Sequence, residues 1–222
     1  MGIISLNNKD RLYWLGRYSE RVYTTIRFFG ESFDTLIDRE LRSFDDFCAR
    51  LDIPAIYTSG DDFVEHYCFD LQDPNSIISN LTRAFDNAVE LREEIGSEPV
   101  SYVQMALYVM NSARGVPAPM MELQHVVDDI LAFWGVADDM IADENVRNII
   151  KVGKRIERLD LFARLHRPQE DMKREYYRLA DRVRKTDLRY DPTLLEELRL
   201  LIEAGEMDYR GIVWRVDRLL EA

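Results

Sequence analysis

The chain has 222 residues, 46% hydrophobic and 32% charged, with a formal net charge of −12. That length holds one large domain or two small ones with ample core, and the acidic balance argues against general nucleic-acid binding. Two cysteines without a CxxC, and a start (MGIISLNNKD) that lacks the charge and apolar run of a signal peptide, imply reduced thiols in a cytoplasmic protein.

Polar and apolar residues never alternate long enough to make a strand. The chain therefore reads as all-α, a single helical bundle over 1–222 with about eight to ten helices. The first helix starts near Asn7 or Asn8 as cap and runs to about Leu41, carrying Phe28, Phe29, Phe33, Leu36 and Ile37 on its apolar stripe. Ser43 caps a short helix to Leu51, ended by Ile53-Pro54. Asp61 can cap an aromatic helix with Phe63, Tyr67 and Phe69. Asp73-Pro74 opens a helix to Ile95, with Ile77, Leu81, Phe85, Ala88 and Leu91 on one stripe and Asn80, Arg83, Asn87 and Glu90 beside it. Gly96 stops it, and Ser97-Glu98-Pro99 starts the next helix, to about Arg114.

The segment from Gly115 to Pro119 reads as a rigid loop, and any division of the bundle is expected there. A helix from Met120 to Ile141, with a bend near Gly135, carries the longest apolar run, ILAFWGVA at 130–137. That run is far too short to span a membrane. Asp143 caps the following helix, over about 143–166. Helices over 169–186, 192–204 and 207–221 then pack on the same bundle, the last with Ile212, Val213, Val216 and Leu219 inward.

Residues 12–27, LYWLGRYSERVYTTIR, return without a gap at 149–164 as IIKVGKRIERLDLFAR. Gly16 matches Gly153, Glu20 matches Glu157, Arg21 matches Arg158, Arg27 matches Arg164, and Arg17 meets Lys154, which marks an internal pseudo-repeat. At about 100° per residue, Gly16, Glu20 and Arg27 lie within about 40° of one another on one helix face, with Arg21 about 100° round from Glu20. A glycine inside a helix costs about 1 kcal/mol against alanine. Its presence in both copies predicts that the two helices cross near their glycines, bringing a Glu and an Arg from each to the crossing, where neither can sit alone. Two readings stay open: structural Glu–Arg bridges, which the ordinary behaviour of ion pairs favours, or a charged pocket for a small polar ligand.

The strings at 12–21 and 153–160, together with NAVELREEIGSE at 87–98, resemble the bacterial alpha-E family, an all-helical domain with a Glu-Arg pair. The resemblance runs in order from about residue 10 to 166; Gly96 departs from the family's usual Ser, and no Trp follows Pro99 in the next turn. Family genes sit beside, or are fused to, circularly permuted ATP-grasp proteins and transglutaminase-like peptidases. The resemblance thus implies work on amide bonds or peptides, with those two proteins as partners. A ligand site on the repeat would draw on Arg21, Arg27, Arg158 and Arg164 as planar donors and on Glu20 and Glu157 to orient them, with Asn87 and Arg92 reaching the same cavity.

P-loop, GxGxxG, HExxH and GxSxG motifs are all missing from the sequence. Cys48 and Cys68 read as inert thiols, because His66 would lie about 160° round a helix from Cys68. Glu122-x-x-His125 with Asp128 and Asp129 is half of a di-metal bundle motif, and without its second half no metal or other cofactor is expected. Residues 147–189 hold 14 Lys/Arg against 7 Asp/Glu, a basic run that reads as a solvated helix face with pairs such as Asp171/Glu175 with Lys173, Arg174 and Arg178. Three functional expectations follow: an accessory or co-catalytic partner of an ATP-grasp amide ligase, a stand-alone enzyme on a small peptide or amino-acid derivative, or a scaffold that dimerises through its apolar helices.

Overall fold

A computed structural model of the chain describes residues 4–37, 43–116 and 119–220, with side chains given for all of these except 32–37, 43 and 119. Among the described residues there are eleven helices and no strand: α1 (Leu6–Ile37), α2 (Ser43–Leu51), α3 (Gly60–Phe69), α4 (Ile77–Glu90), α5 (Arg92–Ile95), α6 (Ser97–Ser112), α7 (Pro119–Met140), α8 (Glu144–Arg164), α9 (Gln169–Val183), α10 (Pro192–Glu203) and α11 (Tyr209–Val216). The fold is all-α, as the sequence pattern requires. The expected end of the first helix at Leu41 lies outside the described residues, as do the side chains of Phe33, Leu36 and Ile37. No helix among the described residues is long and apolar enough to cross a membrane.

Capping explains where several helices start, and where the sequence reading misplaced two of those starts. Asp143 and Asp191 each accept two backbone N–H donors, from Asn145 and Val146 and from Thr193 and Leu194, satisfying donors that a helix start leaves open. At α3 the cap is Ser59 rather than Asp61: the Ser59 hydroxyl accepts from Asp62 N, while Asp62 turns back to accept from the Thr58 amide. At α4 the helix opens behind Ser76, not Asp73, because Asp73 is engaged in its own turn with the Asn75 amide. The expected continuous helix to Ile95 breaks at Leu91, and Gly96, at φ +83°, ends the short α5. The break at Leu91 takes the count to eleven, against the expected eight to ten.

The chain gathers into two compact units, one from its start to Glu20 together with Ala142 onward, the other from Arg21 to Ile141. The expected dividing point at 115–119, of which 117–118 lie outside the described residues, is not the boundary. α6 and α7, on either side of it, pack on each other within the second unit.

In the first unit, α8 packs on α9 and α11, and α10 packs on both α9 and α11. Their shared core holds Val152, Ile156, Leu159, Met172, Leu179, Leu195, Leu198, Ile212 and Leu219, with Tyr13 of α1 packed against it. The second unit is built on α4, α6 and α7 and on an aromatic cluster. There Phe63 is the hub, 5.0 Å from Tyr57, 5.1 Å from Tyr67, 5.5 Å from Phe47 and 5.8 Å from both Phe29 and Phe44. Ring pairs at such separations add about 0.5–1.5 kcal/mol each beyond their area burial.

Candidate functional site

In the first unit the two repeat helices meet at their glycines. A Cβ placed on Gly16 would stand 2.1 Å from the Ile150 carbonyl oxygen, and one on Gly153 would stand 2.1 Å from the Tyr13 carbonyl oxygen. Gly16 pairs with Gly153 in the repeat as Tyr13 pairs with Ile150, so the crossing is a local two-fold of the duplicated segment. Only glycine lets the backbones come this close.

The close approach brings the acidic residue of each helix to a cation of the other. Arg158 grips Glu20 with both arms of its guanidinium, Nε to Oε1 at 2.5 Å and Nη2 to Oε2 at 2.9 Å. Arg17 donates from Nε to Glu157 Oε2 at 2.6 Å and from Nη1 to the Tyr13 hydroxyl at 3.2 Å, and stacks 5.1 Å from the Trp14 ring. Glu20 and Glu157 are 0% and 1% exposed. A buried carboxylate without a partner is strongly unfavourable, so these cross-helix pairs are what permit the two glutamates inside the fold. Burial alone would lower the Arg17 pKa, but Glu157, Tyr13 and Asp160 together outweigh it and raise it, so the guanidinium stays charged.

Three further groups crowd the centre. Asp160 is 1% exposed; burial, then the neighbouring Glu157, push its carboxyl up to about 6, against the pull of Arg164, whose Nε lies 3.0 Å from both of its oxygens. Glu175, on α9, accepts from Arg155 at 2.6 Å and from Arg178 at 2.8 Å. Lys154 is held down to about 7, chiefly by burial, with Arg158 and Arg155 adding to the effect and Glu20 and Glu175 opposing it.

The Lys154 shift has a definite sign in stability. Its folded pKa lies below the unfolded value of about 10.4, so between those pH values the folded chain binds fewer protons. Stability contributed by neutral Lys154 is complete above the unfolded pKa and is lost as pH falls through about 7. Lys154→Met is therefore expected to stabilise the protein by roughly 1–3 kcal/mol at pH 6 and to gain progressively less toward pH 10. Urea melts of both proteins across that range measure the difference. A difference that stays constant with pH would show that Lys154 is no buried charge.

Of the residues expected at the repeat, the structure brings Glu20, Glu157 and Arg158 together, and Arg164 joins through Asp160. Arg21, Arg27, Asn87 and Arg92 belong to the second unit. Arg21 there acts electrostatically on Tyr67, while Arg27 and Arg92 are exposed. The residue missed is Arg17, the cation that serves Glu157. Its signal was present: Arg17 stands opposite Lys154 in the repeat, next to the glycine at which the helices cross. No group of three or more His, Cys, Asp or Glu among the described residues is placed to hold a metal ion. Burial pushes the Cys48 thiol up to about 11 and raises Cys68 as well, which suppresses the nucleophilic thiolate.

Comparison with known proteins gives one finding. A family model, Alpha-E, described as a predicted alpha-helical domain with a conserved ER motif, matches residues 8–195. No curated protein and no solved structure matches the chain. The match covers most of the sequence, both copies of the Glu-Arg helix included, and the chain belongs to the Alpha-E family.

Proposed function

We propose that this protein is an accessory or co-catalytic partner of an ATP-grasp amide or peptide ligase system in the cytoplasm, binding the ligase or a carboxylate-bearing, peptide-like substrate. The observation that carries the accessory role is the engagement of both glutamates. Glu20 and Glu157 each grip an arginine of the opposite helix within the protein interior, which makes the Glu-Arg centre a clamp rather than an acid or base waiting for substrate. The ligase partner enters through the family's gene neighbourhoods, with circularly permuted ATP-grasp proteins and transglutaminase-like peptidases.

The test is co-expression with a circularly permuted ATP-grasp protein from the same genome. Co-elution at low salt, with amide-bond formation that needs both chains, is the expected result. Separate elution at low salt together with ligase turnover indifferent to this chain would defeat the proposal. A stand-alone enzyme makes a different prediction: turnover by the purified chain, lost in Glu157→Gln while the fold survives.

A further inference from the structure

The basic run over 147–189 does not behave as one solvated face. Lys173 pairs with Glu170, Arg174 with Asp171 and Lys185 with Asp181 on the outside of α9, as expected of a charged helix surface. Four other arginines converge instead. Arg155 and Arg158 of α8, with Tyr177, Arg178, Asp181 and Arg182 of α9, line a pocket of about 410 Å³ within the first unit.

The charges around this pocket do not cancel. Against four arginines stand three carboxylates: Asp181 on the wall, Glu175 between Arg155 and Arg178, and Glu20 on Arg158. Hydrogen-bonding capacity is also in excess, since each guanidinium carries five donors. Arg155 Nε is buried with no acceptor among the described residues. The same holds for Nδ2 of Asn148, whose Oδ1 accepts from Arg182.

From this geometry we propose that the α8–α9 pocket binds a phosphate-bearing ligand. Several guanidinium planes around one concavity suit an anion with acceptors in several directions, which a tetrahedral phosphate offers and a flat carboxylate does not. Glu175 already supplies the flat carboxylate, from within the protein. The volume admits more than one phosphate group, up to a nucleotide. This inference stands apart from the ligase reading and concerns the chain alone.

Isothermal titration of the full chain with inorganic phosphate, pyrophosphate, ATP and citrate, at constant ionic strength, tests it. Pyrophosphate is expected to bind saturably at one site, more tightly than inorganic phosphate and citrate. ATP binding more tightly still would identify a nucleotide as the source, and equal affinity a bare polyphosphate. Arg178→Gln and Arg182→Gln, each on the open side of the pocket, are expected to weaken pyrophosphate binding about tenfold. Asp181→Asn, which removes the competing wall carboxylate, is expected to tighten it. Absence of saturable binding, affinities unchanged in all three variants, or citrate binding as tightly as pyrophosphate would overturn the assignment. Since no second protein is present, failure to co-purify with a ligase leaves this test intact, and the converse also holds.

Discussion

Gly16→Ala is expected to destabilise the protein by about 3 kcal/mol or more, although the same change in an ordinary helix interior gains about 1 kcal/mol. The new methyl carbon would sit 2.1 Å from the Ile150 carbonyl oxygen and 3.0 Å from the Lys154 amide nitrogen, both backbone atoms of α8 that no rotamer change can move aside. An ordinary carbon–oxygen contact needs about 3.3 Å. The helices would have to part by about 1 Å, enough to loosen a packed core and to stretch the Arg17–Glu157 and Arg158–Glu20 bonds, 2.6 and 2.5 Å long, at the same crossing. Gly153→Ala meets the mirror-image obstacle at Tyr13 and is expected to lose as much. Since one separation relieves both clashes, the double variant should lose less than the sum of the two. Gly135→Ala in α7 is the control, with nothing within 4 Å of its new carbon, and should melt no earlier than wild type. Urea melts of the four variants beside wild type decide the matter; a Gly16→Ala protein as stable as wild type would dismiss the crossing.

The crossing was legible because glycine inside a helix is costly, and finding it twice in a repeat leaves close approach as the simplest cause. The Glu20–Arg158 pair was not, since the spacing set Arg27 and Arg164 on the crossing face and Arg158, like its counterpart Arg21, about 100° round from it. Nor did the spacing give the cation that serves Glu157, because Arg27, eleven residues from Gly16, shares its face, whereas Arg17, one residue on, lies about 100° round from it. Arg17 lies one residue from the closest backbone contact and reaches across; Arg27, nearly two turns beyond Glu20, has passed into the second unit and is exposed. Helix starts were legible where Asp directly precedes the helix, as at Asp143 and Asp191. They were misread where two polar residues compete, because Asp62 and Asp73 each serve a turn of their own. One boundary between the units left no turn signal, because it falls inside α1, where only the return of α8 to the first turns of that helix creates it; the other, between Ile141 and Ala142, lies just ahead of the Asp143 cap.

Glu20→Gln is expected to cost about 3–5 kcal/mol, the range for breaking a buried ion pair from one side. The variant leaves Arg158 without its bidentate partner, and Lys154 without the carboxylate that offsets its burial, so two cations face a centre in which Glu175 is already shared by Arg155 and Arg178. Glu157→Gln should cost distinctly less, although its pair is equally buried. Glu157 stands near Asp160 and helps drive that carboxyl upward, so neutralising it relieves a repulsion as well as removing an attraction. Asp160 also remains within electrostatic reach of Arg17 and continues to favour its charge. The relief must appear as a downward shift of the Asp160 pKa, which carboxyl-selective NMR titration of Glu157→Gln can follow between pH 4 and 7. Equal losses for the two variants, with Asp160 unmoved, would show that the repeat's two halves are electrostatically equivalent and that Glu157 does not act on Asp160. If instead Glu20→Gln kept wild-type stability while abolishing stimulation of a partner ligase, the Glu-Arg pair would have to be reassigned from clamp to binding site.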